Sequence, residues 1–201
     1  TLPYVSVGCA VGAAAAAAVG PSPGVQRTLK SLALLSLAVF AFLRGVAPAA
    51  LAMSLVLSGL AWAASPRERP TGLDLSGGLF ALAWLVLAWL CLREGLGLQA
   101  LASPLRIGGA LLVLAAVGGL IAWSRRGVSG LATMVSVGAA GLAALAALTL
   151  RDSQWPAIAG AVVLLAAHAA RLALERRPRY GRAADMAPWT LAYLGQAAIA
   201  Y

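Results

Sequence analysis

The chain has 201 residues, of which 62% are hydrophobic and 10% charged, and its formal net charge is +9. A soluble domain carries about 25% charge, so this composition excludes an ordinary water-soluble globule. The solvent of such a chain is lipid, and its basic excess reads as membrane topology rather than as a nucleic-acid surface.

Crossing about 30 Å of hydrocarbon takes about 20 apolar residues of helix. Helices are the default spanning element because they satisfy every backbone group internally. Segments of about ten alternating residues, the mark of a β-barrel, do not recur. Eight helices are predicted, the first over Leu2–Gly20. It lacks a basic leader segment, and Pro21, Pro23 and Gly24 follow it in place of a cleavage site. It is therefore expected to be a retained span rather than a signal peptide. Gly8, Gly12, Ala16 and Gly20 form a small face at four-residue spacing. Such a face suits close approach of another helix, either of this chain or of a partner.

The second and third helices are expected at Leu29–Ala47 and Ala49–Ser65, separated by Arg44, Gly45 and Pro48. One helix over both would be far too long for a bilayer at about 1.5 Å per residue, and Pro48 disfavours helix at Ala47. Leu75–Leu92, Leu105–Ser124, Val128–Leu150, Gln154–Leu174 and Met186–Tyr201 complete the set. Gly138 and Gly141 favour close packing of the sixth helix. Cys9 and Cys91 fall inside spans and read as small buried hydrophobes. No loop is long enough to fold by itself. Residues 1–201 are thus expected to form a single all-α domain, a polytopic integral membrane protein with about eight transmembrane helices.

The loops assign an orientation. Arg27 and Lys30, Arg67 and Arg69, Arg125 and Arg126, and Arg176, Arg177, Arg179 and Arg182 occupy the odd-numbered loops. The even-numbered loops hold only Arg44, Arg93, Arg106 and Arg151. Basic residues collect in cytoplasmic loops, so the odd loops are expected in the cytoplasm of a bacterial inner membrane, with both termini outside. The Arg176–Arg182 cluster is placed to touch anionic headgroups.

No phosphate loop, Cys-x-x-Cys pair, His-Glu-x-x-His or Gly-x-Ser-x-Gly motif is present, and one histidine cannot build a multi-histidine metal site. No metal, cofactor or nucleic acid is expected. Ionisable residues inside spans are the informative ones, because charge at membrane depth is costly. His168, Arg171 and Glu175 share one helical stripe, with Arg171 and Glu175 spaced to pair. One reading is a polar cavity in which His168 is an acid–base group and Arg171 holds an anion such as phosphate. The other has Arg171 and Glu175 snorkelling to the headgroups, with His168 bonded to a neighbouring helix. Trp84 and Trp89 lie deep and read as packing, Trp62 lies near a helix end, and Trp123, Trp155 and Trp189 fit interfacial belts. None of the six acids falls in the middle of a span.

Several segments carry a likeness in order along the chain. Arg27, Lys30, Ser31 and Leu32 open the second helix, and Ser54-Leu55-Val56-Leu57-Ser58-Gly59-Leu60 lies in the third. Phe80-Ala81-Leu82-Ala83-Trp84 lies in the fourth, Gly160 to His168 in the seventh, and Tyr193-Leu194-Gly195-Gln196 in the last. The arrangement resembles the YhhN-like lysoplasmalogenase family of eight-helix membrane proteins. That resemblance implies a fold and a hydrolase that cleaves the vinyl-ether bond of lysoplasmalogens with two intramembrane aspartates. At the matching positions this chain has Leu60 and His168, and Trp84 stands where the family has histidine. Vinyl-ether hydrolysis needs an acid to protonate carbon and a base to activate water. Leu60 can do neither, and His168 can do one.

The expected function is that of a divergent, catalytically impaired relative. It binds membrane lipids or serves as an accessory subunit of a membrane complex, docking through the Gly8/Gly12/Ala16/Gly20 face. Arg171, Lys30, Tyr193 and Gln196 are the candidate headgroup-binding residues. The alternative is an active lipid hydrolase in which His168, helped by Tyr193 or Gln196, replaces the aspartates. A small transporter is disfavoured by the lack of intramembrane acids and of an internal repeat.

Overall fold

A computed structural model describes residues 2–19, 23–43, 48–64, 75–125, 131–175 and 186–200. Among them are eight α-helices: α1 (Leu2–Val19), α2 (Pro23–Leu43), α3 (Pro48–Ala63), α4 (Leu75–Glu94), α5 (Pro104–Arg125), α6 (Leu131–Ala147), α7 (Trp155–Glu175) and α8 (Met186–Ala200). Two short 3₁₀ segments, Gly97–Ala102 and Asp152–Gln154, were not foreseen in the sequence. The described residues contain no strand.

Four stretches are long and apolar enough to cross a membrane: Gly24–Leu43, Leu75–Glu94, Pro104–Trp123 and Asp152–Arg171. Ala49–Ala63 and Met134–Ala147 are apolar but shorter. The outer surface carries large bare hydrophobes, among them Leu105 at 87% exposure and Leu112 at 73%. Water would not tolerate so continuous an apolar exterior, whereas lipid does.

Helix starts explain most boundary differences. α2 begins at Pro23, six residues before the expected start at Leu29. Proline suits the first helical turn, where its missing N–H would have no partner. The consequence is large: Arg27 and Lys30 sit inside α2, not in a loop, and Lys30 is buried. Pro48 likewise opens α3. At its other end α6 stops at Ala147, short of the expected Leu150, because Leu148–Leu150 form a turn.

The packing order is circular. α1 lies on α2, α2 on α3, α3 on α4, α4 on α6, α6 on α7 and α7 on α8, which meets α1 and α2 only sparsely. α5 stands outside this circuit, against α6 and the Gly97–Ala102 segment. Only 6% of its apolar window is buried, against 56% for α4. Two ties hold the chain in this detour. The Leu96 N–H donates to the Thr149 carbonyl at 2.8 Å, and the Arg106 guanidinium donates to the Leu148 carbonyl at 3.0 Å while pairing with Asp152. They fix the end of α4 and the start of α5 to the turn that follows α6.

α7 and α8 cross backbone to backbone. A Cβ on Gly160 would come within 2.5 Å of the Gly195 carbonyl oxygen, and one on Gly195 within 2.7 Å of the Gly160 oxygen. Two glycines face to face let the backbones meet, as small residues do between membrane helices. Gly141 serves α6 in the same way, against Val117 of α5. Gly138 has no neighbour within 4 Å, and neither has Gly8 in α1, whereas Gly12 lies 3.7 Å from Leu29. The side chain of Ala16 and all of Gly20 fall outside the described residues.

Candidate functional site

The apolar interior of the bundle also holds a set of polar side chains. Ser6, Gln26, Lys30, Ser54, Ser58, Ser76, Ser136, His168 and Gln196 are all buried. Groups of this kind inside a membrane bundle are costly and mark its working centre. Helical spacing collects them. On α4, Ser76, Phe80 and Trp84 recur at four-residue intervals on one face; on α7, Leu164, His168 and Arg171 do so at four and three. On α8 the same stripe is Trp189, Tyr193 and Gln196.

These stripes meet α3 at Trp62. Phe80 packs edge-on to Trp62 with centroids 5.6 Å apart, and Phe80 and Trp84 stack at 6.2 Å. The His168 imidazole stands edge-on to Phe80 at 5.6 Å and to Trp84 at 6.1 Å. Its Nε2 lies 2.9 Å from the Ser136 hydroxyl of α6, the tautomer deciding which group donates.

Two cations share the Trp62 ring. The Lys30 ammonium is 5.0 Å from its centroid and 5.8 Å from that of Trp189. The Arg171 guanidinium is 5.3 Å from Trp62 and 5.1 Å from Phe80. A desolvated cation–π contact is worth about 2 kcal/mol, so the aromatic cluster helps to hold both charges inside the bundle.

Trp62, Phe80, Trp84, Leu164, Ala167, His168, Arg171, Pro188 and Ala192 line a narrow cleft with room for about one water molecule. Arg171 is the one charged group in that lining among the described residues. Several buried polar atoms nearby have no hydrogen-bond partner among the described residues: the indole N–H groups of Trp84 and Trp189, and Oε1 of Gln196. Ser58 and Ser76 hydroxyls share that condition.

Of the five residues singled out in the sequence, the structure brings His168 and Arg171 together at the cleft. Lys30 joins them through Trp62 without lining the cleft. Tyr193 and Gln196 are buried on α8 but lie outside the lining. Ser6 donates its single hydroxyl proton to the Ala33 carbonyl at 2.8 Å, so the Tyr193 O–H donates to Ser6 Oγ, also at 2.8 Å. The Arg171 guanidinium lies over rings in the bundle, which departs from a simple snorkel, while His168 does bond to a neighbouring helix as the second reading expected. The Glu175 side chain lies outside the described residues.

Three tryptophan and leucine positions deserve correction or comment. Trp189, expected at the interface, is 2% exposed and stacks on Tyr193 at 5.6 Å. Trp89, expected to be deep, is 54% exposed and lies under the Arg93 guanidinium at 5.5 Å. Leu60, which the resemblance sets in place of an aspartate, is 47% exposed and points away from the cleft. The central place of Trp62 escaped sequence reasoning. Its signal was the Ser54, Ser58, Trp62 spacing, which puts two hydroxyls and an indole on one face of α3.

No family model matches this sequence, and no curated protein or solved structure matches it.

Proposed function

We propose that this chain spans the bilayer eight times, with its odd-numbered loops in the cytoplasm of a bacterial inner membrane, and binds a lipid headgroup without hydrolysing it. One observation carries the reading: Lys30 and Arg171 converge on Trp62 beside a cleft inside an otherwise apolar bundle. Cations and indole N–H donors of this kind complement the phosphate of a lipid head, while the apolar exterior accommodates its chains. The divergence from the lysoplasmalogenase pattern fits binding better than catalysis. Leu60 is exposed and lies outside the lining, and among the described residues the lining holds no carboxylate to act as the second proton-transfer group.

The test is lipid retention. Protein extracted in mild detergent and analysed by native mass spectrometry should carry a phosphate-bearing lipid, and Arg171→Gln should lose at least ten-fold of it. Equal retention by both proteins would sink the reading.

His168 at the cleft supports a second reading, an active vinyl-ether hydrolase. Purified protein given a lysoplasmalogen would then release fatty aldehyde, and His168→Ala would abolish the release. The accessory-subunit reading is supported by the bare Gly8 on α1. It predicts co-purification with another membrane protein, and migration as a lone monomer counts against it.

A further inference from the structure

The cleft as it stands holds about one water molecule, so no headgroup can enter unless a wall moves. The wall that α8 supplies, through Pro188 and Ala192, is packed extensively on α7 but only sparsely on α1 and α2. We infer that the seam between α8 and the α1–α2 pair is a lateral portal, opened by α7 and α8 swinging together, through which an amphiphile enters from the bilayer. The inference rests on the headgroup-binding reading.

Three observations support it. First, α8 cannot part from α7, because Gly160 and Gly195 bring the two backbones into contact along an extensive interface. Second, α8 touches α1 and α2 sparsely, and what crosses that seam is a short set of polar and aromatic contacts. Tyr193 donates to Ser6 at 2.8 Å, the Gln26 amide reaches the Met186 sulfur at 3.1 Å, and Lys30 lies near Trp189. A side-chain hydrogen bond between membrane helices shifts such an equilibrium by only about three-fold on average. Third, the Trp189 N–H and Gln196 Oε1 of α8 are buried without hydrogen-bond partners among the described residues. Unpaired polar groups are expensive in a low-dielectric interior, so the closed packing of α8 carries a penalty that admitting water would relieve.

The contrast with the other seams matters. α3 is joined to α4, and α2 to α3, by broad interfaces. The Ser54 hydroxyl donates to the Ala83 carbonyl and that of Ser31 to the Gly59 carbonyl, so those crossings tie side chain to backbone. The α8 seam is tied mainly side chain to side chain, which rotamer changes can undo.

The test is a pair of distances in the full chain, held in phosphate-free maltoside micelles with no added ligand. Cys9 and Cys91 are replaced by alanine, and spin labels are placed at exposed positions. Val25 and Leu194 report across the seam, while Ala173 and Leu194 report within the α7–α8 pair. The seam pair should show a second, longer distance, and Tyr193→Phe should raise its share relative to the closed distance about three-fold. The α7–α8 pair should keep one distance in both proteins, which also confirms that the variant folds. A single seam distance, unchanged by Tyr193→Phe, overturns the portal. Broadening of both pairs overturns it as well, since α8 would then be loosening alone. Because no ligand is present, a closed seam leaves the headgroup reading to stand or fall on lipid retention.

Discussion

The crossing of α7 and α8 offers the sharpest quantitative test of the packing. In Gly195→Ala the new methyl would lie 2.7 Å from the Gly160 carbonyl oxygen and 2.9 Å from Leu164 Cγ. The oxygen belongs to helical backbone and cannot rotate away, so the helices must separate by several tenths of an ångström. Overpacking of this kind costs about 1–3 kcal/mol. Alanine returns about 1 kcal/mol through its better helix propensity, leaving a net loss of up to about 2 kcal/mol and a gap of about 1–3 kcal/mol from a substitution without the clash. Gly118→Ala is the control, because nothing lies within 4 Å of Gly118 on the lipid-facing α5. It gains the propensity without the clash and should be neutral or up to about 1 kcal/mol more stable. Unfolding by SDS titration in mixed micelles, read by far-UV circular dichroism, compares the two. Equal stability of Gly195→Ala and Gly118→Ala would refute the face-to-face glycine crossing. Without that crossing, α7 and α8 would not be bound to move as one body.

Two further outcomes follow from the site. Leu60→Asp installs an acid where the lysoplasmalogenase resemblance calls for one, but that position faces away from the cleft. The variant should release no fatty aldehyde from a lysoplasmalogen and should be less stable than wild type; aldehyde release would show that Leu60 does reach the reaction centre. Ser6→Ala and Tyr193→Phe each remove one partner of the 2.8 Å bond between α1 and α8. Tyr193→Phe should cost about 0.6 kcal/mol, the average for such bonds between membrane helices, and Ser6→Ala about twice that, because it also removes the bond to the Ala33 carbonyl. Because they share one bond, the double variant should cost less than the sum of the singles; strict additivity would mean that the bond contributes nothing.

The arrangement of the site was legible in part. His168 and Arg171 stand out because a polar residue within an apolar run is conspicuous, and their three-residue spacing places them on one face. Lys30 was visible as a residue but assigned to the wrong environment. Its neighbours Arg27 and Gln26 make the stretch look like a loop, and only the helix opened by Pro23 carries it into the core. Trp189 illustrates the opposite difficulty. A tryptophan near a helix end suits a membrane interface and a buried aromatic stack equally well, and its stacking partner Tyr193 and the Lys30 ammonium come from packing that local sequence does not encode.

The sequence by itself determined the solvent and the elements. Long apolar runs, broken by proline, glycine and arginine, require helices in lipid, because backbone hydrogen bonding there has no alternative within a segment. Helix number and approximate ends are therefore local properties. Which helices touch is not. α4 packs on α6 and leaves α5 outside, and α8 closes the circuit on α1 and α2. When apolar side chains cover a helix all round, lipid and protein satisfy its faces almost equally. The choice then passes to scattered details: a glycine facing a glycine, a serine reaching a carbonyl, a cation finding a ring. Those pairings join residues far apart in the chain, so only the tertiary structure decided that Lys30, Trp62, His168 and Arg171 share one site.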